Sequence, residues 1–386
     1  MDDIWIFAQL SWRAKELITL LRKRFKCTEP EYLCGASPDE PWAVARSLAG
    51  APTFCATSVY FVAHGDRLLL VFSQLEFLEG AFTKLLEKGV VNQSDLDRPQ
   101  HNLDSKLYQL DYLQEDSPKN PVLTASELTS LRAAVNTLSY AALRTKPELL
   151  PALGQCARGQ TVSGRKRFLE GVINLVRYAY TTRARTVNVD TGIRLNGRSL
   201  DQVYAEPVKD VTALPIKRSA HFDASLGCAG ASQDGFARQG SHYFIEIRNV
   251  APALVLSRCG LQTTLSMSTT ESELTSSTSC AKECVSQENF LRELFPFSIF
   301  PTADMYGDCA AANSIGQCLA SLRRVRHLSL AQLWIRQATA SGRVKITYIN
   351  TKLNTADLLT KVLNKDVLKT LLSLLSIFDL ADPPEN

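Results

Sequence analysis

The chain has 386 residues, of which 45% are hydrophobic and 21% are charged, and its formal net charge at pH 7 is +4. This length allows two or three domains, and the composition excludes an intrinsically disordered chain. The mild positive charge is compatible with nucleic-acid binding but does not indicate it, because the distribution of basic residues matters more than their sum.

No targeting or membrane segment is predicted. No apolar run reaches the length of a membrane span, and the N-terminal residues carry acids and bases from the start, unlike a signal peptide. The ten cysteines contain no Cys-x-x-Cys pair and do not combine with the five histidines at zinc-site spacing. Cys280 and Cys284 share one helical face with apolar neighbours, which favours buried thiols over a metal site. We therefore expect a reducing, intracellular location, cytoplasmic or nuclear, and no membrane partner.

The first half of the chain combines a β-hairpin with helices. Residues 59–72 predict the hairpin, with His64-Gly65-Asp66 as its turn. Residues 91–123 are polar and contain three prolines, which indicates a linker or an extended segment. Apolar residues at helical spacing predict helices within 1–26, at 76–88, over 125–157 with breaks at Pro147 and Pro151, and over 164–185.

The last 170 residues or so change character, because short apolar strands now alternate with helices. The order βββαβα(α)βα predicts a mixed sheet with helices on its faces. The strands are predicted at 219–224, 242–248, 252–257, 303–307 and 343–350. The helices are predicted at 269–295, 309–320 and 323–340, with a last one starting at Asn354.

Four acidic residues lie in or next to the predicted strands and helices of this second part of the chain. Asp223 lies in a strand, Glu273 in the first turn of the long helix, Asp308 directly after a strand, and Asp357 near the start of the last helix. Converging carboxylates are the ligands that a two-metal nuclease needs to hold two hard cations. Each acid also has an ordinary alternative as an exposed strand residue or as an acid that complements a helix N-terminus.

From about Leu123 onward the chain contains the motifs ELTSLRAAVNTLSYAALRTKPEL, GRKRFLEGVINLVRY, STTESEL, SLRRVRHLSLAQLWIRQ and GRVKITYINTKLNTADLLTKVL. These motifs, the last one most specifically, resemble the C-terminal part of copia-type retrotransposon Pol polyproteins. The N-terminal MDDIWIF resembles the polymerase Tyr-x-Asp-Asp turn without its Tyr, which leaves Asp2 and Asp3 at the chain start. The resemblance therefore covers most of the chain.

The resemblance implies an α/β (α+β mixed) fold. A ribonuclease H-like mixed sheet flanked by helices would follow a reverse-transcriptase palm and thumb remnant and a helical connection. The implied divisions are a truncated reverse-transcriptase remnant at 1–92, a linker and helical connection at 93–212, a ribonuclease H-like domain at 213–365, and a C-terminal helix and tail at 366–386. Polymerase activity is not expected, since the upstream partners of the Asp2-Asp3 turn are missing.

The family also implies roles for the four acids. Asp223, Glu273, Asp308 and Asp357 would be the catalytic carboxylates and the ligands of two Mg²⁺ or Mn²⁺ ions. The family's ligand is the second Glu of its motif, which selects Glu273 and leaves Glu271 as a solvated acid at the helix start. A basic cluster would contact nucleic-acid phosphates, with a solvated helix face as the equally weighted alternative. This cluster consists of Arg323, Arg324, Arg326 and His327.

The implied activity is endonucleolytic hydrolysis of the RNA strand in an RNA–DNA hybrid. The alternative from another class is a non-catalytic relic of a decayed element that binds hybrid or duplex nucleic acid without cutting it. Survival of all four carboxylates favours the enzyme, whereas the N-terminal truncation and the altered connection motif favour the relic. The oligomeric state stays open.

Overall fold

The computed structural model describes residues 53–54, 56–199, 202, 215–226, 236–247, 251–294, 298–320 and 330–381. These residues form two five-stranded sheets with helices packed against them. Three predictions from the sequence lie outside the described residues. They are the helix within 1–26, the polymerase-like pair Asp2 and Asp3, and the basic cluster Arg323, Arg324, Arg326 and His327.

The strands and helices of the described residues are numbered here in chain order. The strands are β1 Thr53–Phe54, β2 Thr57–His64, β3 Arg67–Ser73, β4 Arg185–Arg194, β5 Ile216–Ser225, β6 Arg238–Ile247, β7 Ala253–Leu261, β8 Ala303–Gly307, β9 Val344–Tyr348 and β10 Ile377–Asp379. The α-helices are α1 Leu75–Glu87, α2 Gln93–Leu96, α3 Leu110–Gln114, α4 Ala125–Ala142, α5 Leu150–Ala157, α6 Lys166–Thr181, α7 Thr269–Leu294, α8 Ala310–Gly316, α9 Leu330–Ala340, α10 Asp357–Thr360 and α11 Lys365–Leu374.

The first sheet has the order β1-β2-β3-β4-β10, and all its strand pairs are antiparallel. The predicted hairpin is confirmed as β2 and β3. Gly65 in its turn has φ +58°, a left-handed conformation that glycine adopts without steric cost. The sequence patterns did not reveal β4 or β10. Through β10, the C-terminal segment returns to the first sheet and pairs with β4.

Six helices, α1 to α6, form a helical unit beside the first sheet. Its longest helix, α4, begins with a capping box in which Thr124 and Glu127 each bond the other's backbone N–H. Residues 91–123 are not the linker or extended segment that was predicted. They contain α2 and α3, which pack on α6, and their Leu107 and Leu113 are buried because the apolar side chains fill the helical core.

The second sheet has the order β7-β6-β5-β8-β9. β5, β6 and β7 are antiparallel, whereas β8 and β9 run parallel to β5. Within the sheet the sequential strands therefore have the order 3-2-1-4-5, which confirms the predicted mixed sheet with helices on its faces. Helix α7 packs across β5 and β6, and the core between them includes the buried thiols of Cys280 and Cys284, as predicted.

The helical unit and the second sheet share one apolar core. Phe244 of β6 and Leu358 and Leu359 of α10 belong to the same cluster of buried side chains as Leu149 and Leu153 of the helical unit. The face of the sheet opposite α7 is therefore covered by the first half of the chain. Among the described helices, none is both long enough and apolar enough to cross a bilayer.

Candidate metal centre at the edge of the second sheet

Asp223 is the most buried acid of the predicted set, with 1% of its surface exposed. It lies near the C-terminal end of β5, where it is paired in register with Gly240 of β6. Its carboxylate accepts hydrogen bonds from the Thr360 hydroxyl and from the Lys361 ammonium, the latter at 3.3 Å. A buried carboxylate is stable only with such partners, so the segment that supplies them is part of the site.

Glu273 and Asp308 join Asp223 from two other elements. One carboxylate oxygen from each of the three acids lies within 4.8 Å of the other two. Asp308 directly follows β8, and because β5 and β8 are parallel neighbours, their carboxyl ends meet at one edge of the sheet. Glu273 comes from the start of α7, which is tied to β5 by a 2.9 Å hydrogen bond from the Ser276 hydroxyl to the carbonyl oxygen of Asp223.

Asp357 lies beside this trio without belonging to its closest group. Its carboxylate accepts a 2.7 Å hydrogen bond from Lys361, four residues further along, and the same ammonium reaches Asp223. Lys361 therefore bridges Asp357 to Asp223. Sequence reasoning selected the four acids but missed Lys361 and Thr360. The Asp-Lys spacing of four residues was the available signal, because it places both side chains on one helical face.

The segment that carries these residues is fastened to β5 by polar side chains. The Asn354 amide donates a 3.1 Å hydrogen bond to the carbonyl oxygen of Phe222. The Thr355 backbone N–H donates at 3.3 Å to Nδ1 of His221. Burial lowers the pKa of His221 to about 4, so its imidazole is neutral and Nδ1 can accept.

Strand β6 and helix α10 approach each other so closely that position 240 of β6 has no room for a side chain. A Cβ built on Gly240 would lie 2.4 Å from Cβ of Leu359, well inside van der Waals contact. Glycine at this position therefore allows Thr360 to reach Asp223 across the sheet.

The negative charges of the four carboxylates are only partly balanced by positive charge in the folded chain. Burial, and then the charges of Asp223 and Asp308, raise the pKa of Glu273 to about 9. Burial also raises the pKa of Asp223, in spite of the nearby Lys361 ammonium. Burial and the Asp223 charge raise the pKa of Asp357 to about 6. One ammonium is thus not enough to balance four acids in this environment.

This arrangement fits a divalent cation. Oε2 of Glu273 is buried and has no hydrogen-bond partner among the described residues. Three converging carboxylates are the all-oxygen donor set that Mg²⁺ and Mn²⁺ prefer. A bound cation would satisfy the orphaned oxygen and lower the raised pKa values.

The prediction that Glu271 is a solvated acid is wrong, because only 5% of its surface is exposed. Its carboxylate accepts a 2.7 Å hydrogen bond from the backbone of Met267, and its own N–H donates to the Ser268 hydroxyl. Ser268 therefore caps the start of α7, and Glu271 ties the preceding loop to its first turn, which fixes the helix that presents Glu273.

Two solved structures are similar to part of the chain. RNase H1 from the halophilic archaeon Halobacterium salinarum NRC-1 aligns over 38% of this chain and 93% of its own, with 14% identity and a TM-score of 0.27. The N-terminal RNase H domain of a Mycobacterium tuberculosis protein, solved as a fusion with maltose-binding protein, aligns over 41% and 97%, with 13% identity and a TM-score of 0.26. Neither a family model nor a curated protein matches the sequence. At these scores the likenesses carry no weight for function, and the site is interpreted from its own geometry.

We predict that Glu273→Gln stabilises the metal-free protein above neutral pH. The folded-state pKa of about 9 exceeds the ordinary value of 4.5, so folding holds this proton more tightly. Stability in the parent therefore falls as pH rises from about 4.5 towards 9, and glutamine abolishes that loss. In EDTA at pH 8 the variant should melt a few degrees above the parent, and Mg²⁺ should raise the melting temperature of the parent more than that of the variant.

Glu283→Gln is the control for this experiment, because Glu283 lies on the same helix but pairs with Arg258 at the surface. It should leave the response of the melting temperature to pH and Mg²⁺ unchanged. If the melting temperature of the parent does not change when Mg²⁺ is added, that result would argue against a metal centre.

We further predict that Gly240→Ala displaces α10. The added methyl group would overlap Leu359, so the contact between Thr360 and Asp223 should open and amides 357–361 should exchange with solvent faster. Gly260→Ala is the control, since a Cβ on Gly260 of the neighbouring strand would meet nothing within 4 Å. Equal exchange over 357–361 in the two variants would contradict the assigned role of Gly240.

Proposed function

We propose that this chain is a metal-dependent endonuclease of the ribonuclease H type that cuts the RNA strand of RNA–DNA hybrids. The observation that carries the proposal is the meeting of Asp223, Glu273 and Asp308, whose oxygens lie within 4.8 Å of one another at the carboxyl edge of a mixed sheet. Few structural roles account for three acids in such close contact, because their mutual repulsion and burial destabilise the fold.

In this proposal Asp223, Glu273, Asp308 and Asp357 hold two Mg²⁺ or Mn²⁺ ions. Bound cations of this kind lower the pKa of water and stabilise negative charge on a departing 3′ oxygen. The residues of the chain would bind the cations and fix the positions of the carboxylates. Thr360 fixes the rotamer of Asp223 through its hydroxyl, and burial of the acids excludes bulk water, which strengthens every charge interaction at the site.

Choice of the RNA strand would come from contacts to its 2′-hydroxyl groups in the minor groove, since these groups distinguish RNA from DNA. The basic cluster Arg323, Arg324, Arg326 and His327 is a proposed contact for backbone phosphates. We also propose, from the sequence motifs, that the chain is a copia-type Pol fragment without polymerase activity. The divisions near residues 92, 212 and 365 stay predictions.

A non-catalytic, nucleic-acid-binding relic is the second candidate, and one observation favours it. The Lys361 ammonium already lies between Asp223 and Asp357, at 3.3 and 2.7 Å, where it neutralises part of the charge that would attract a cation. A relic of this kind would bind hybrid without cutting it.

We predict that Asp308→Asn abolishes Mg²⁺-dependent cleavage of a labelled RNA–DNA hybrid, with a loss of at least about 100-fold in rate. The amide keeps the size of the side chain but removes the charge that would hold a cation. Hybrid binding should change little, because Asp308 is only partly buried. The melting temperature in EDTA should not fall, since the exchange removes a charge that repels Asp223 and Glu273.

Asp304→Asn is the matched control. Asp304 is the same residue type, lies on β8, the strand that Asp308 directly follows, has the same intermediate burial, and lies outside the carboxylate group. It should cut like the parent. If Asp308→Asn retains full activity the assignment is wrong, and if the parent binds hybrid but never cuts it with Mg²⁺ or Mn²⁺, the relic is the better description.

We predict no templated DNA synthesis by the purified chain on a primed template. Only a remnant of the polymerase turn is recognisable in its sequence, as Asp2 and Asp3. Incorporation of labelled nucleotides above the level of a no-template control would contradict this prediction.

A further inference from the structure

Helix α10, which carries Asp357 and Thr360, is too short to hold its own position. It comprises four residues, and its backbone hydrogen bonds are the few of a short turn, such as the 3.0 Å bond from the Lys361 N–H to the carbonyl oxygen of Asp357 and the 2.9 Å bond from the Leu359 N–H to that of Ala356. A single turn has no independent stability in water, because the cost of nucleation exceeds the gain from so few hydrogen bonds. Its place in the site must come from its neighbours.

One neighbour is the second sheet. The Cys259 thiol of β7 donates a 3.2 Å hydrogen bond to the carbonyl oxygen of Leu359. The guanidinium of Arg238, a buried residue of β6, donates in turn to the Cys259 sulfur at 3.6 Å. These contacts fix one side of the turn.

The other neighbour is the helical unit. The 3₁₀ turn Pro147–Leu149 and helix α5 both pack against α10. Leu149 and Leu359 have no exposed surface and belong to one apolar cluster, in which Leu358 is also buried. The side of α10 that faces away from the carboxylates therefore rests on side chains from the first half of the chain.

The supporting turn is itself held rigidly by buried polar contacts. The Lys146 ammonium donates a 2.5 Å hydrogen bond to the carbonyl oxygen of Thr182 at the end of α6. Glu148 accepts a hydrogen bond from the hydroxyl of Tyr178, at 3.3 Å. Thr145 donates at 2.8 Å to the side chain of Gln74, next to the first sheet. Because these groups are buried, movement of the turn would leave them unpaired.

We infer that the helical unit is a positioning part of the candidate metal centre, with Leu149 as the residue through which it supports α10 and so sets Thr360 and Lys361 against Asp223. This inference rests on the proposed function for its effect on cleavage, but not for its effect on the position of α10. It assigns a role to the Thr-Lys-Pro-Glu stretch at 145–148, which takes no part in the chemistry.

The test compares two truncations in the same core. Leu149→Ala and Leu131→Ala each remove an identical side chain with no exposed surface from the same apolar cluster. Leu131 lies on α4, near the middle of the helix and away from the supporting turn. Both variants should melt at a lower temperature than the parent, because each leaves a cavity.

The two variants should differ at the site. In hydrogen–deuterium exchange of the full chain, Leu149→Ala should speed exchange of amides 357–361, whereas Leu131→Ala should leave them as in the parent. At a temperature where both are folded, Leu149→Ala should lower kcat for hybrid cleavage by roughly 10- to 100-fold, since small misplacements of reacting groups have effects of this size. The kcat of Leu131→Ala should stay within about twofold of the parent value. Leu149→Met conserves the side-chain volume, so its kcat and its exchange of amides 357–361 should match those of the parent.

Equal effects of the two alanine variants on amides 357–361 and on kcat would overturn the inference, as would an unchanged exchange rate in Leu149→Ala. The exchange measurement needs no catalytic activity. A parent that fails to cut hybrid therefore counts against the proposed function alone, and the exchange of amides 357–361 then decides on the positioning role.

Discussion

The burial of several carboxylates at one edge of the second sheet is the constraint on which the rest of the structure depends. Two like charges about 4 Å apart in a protein repel each other by on the order of 4 kcal/mol, and burial adds a further cost. The fold reduces this cost with the Lys361 ammonium, with the Thr360 hydroxyl and with a proton held on Glu273. A cation would replace the proton. The site therefore favours the binding of a positively charged group.

The geometry of the site follows from the direction of the strands. Because β8 runs parallel to β5, the carboxyl ends of both strands lie at one edge, and α7 adds Glu273 from the face of the sheet. The remaining contacts with Asp223 come from helix α10 and Lys361, a short segment that has no independent stability. That segment is placed by close approach at Gly240, by the thiol of Cys259 and by the apolar side chain of Leu149.

The two halves of the chain are consequently one folded structure. Strand β10 follows the site segment and pairs with β4 of the first sheet, and α11 packs its leucines into the core of the helical unit. The residues between Asn354 and Asp379 are thus anchored first on the second sheet and then on the first. The first half of the chain is therefore part of the support of the site segment.

Much of the fold could be predicted from local patterns. The hairpin predicted at 59–72, the long helix α7 and the mixed sheet follow from apolar periodicity and turn residues, and they are confirmed. The polarity and the prolines of residues 91–123 predict a linker or an extended segment, because this pattern does not show that the few apolar side chains pack on α6. The place of Glu271 in a first helical turn predicts a solvated acid, because its backbone partner in the preceding loop cannot be read from the composition.

The sequence by itself determined which elements form and which acids stand at their ends, because these properties depend on residues within a few positions of one another. Only the tertiary structure decided that three of the acids meet, that Asp357 is joined to them through Lys361, and that a turn in the helical unit supports α10. Most of these contacts join residues that are far apart in the chain, and Asp223 and Lys361 are 138 positions apart. The closeness of these residues is fixed by strand direction and by shape complementarity in the core, and no local window of the sequence contains either.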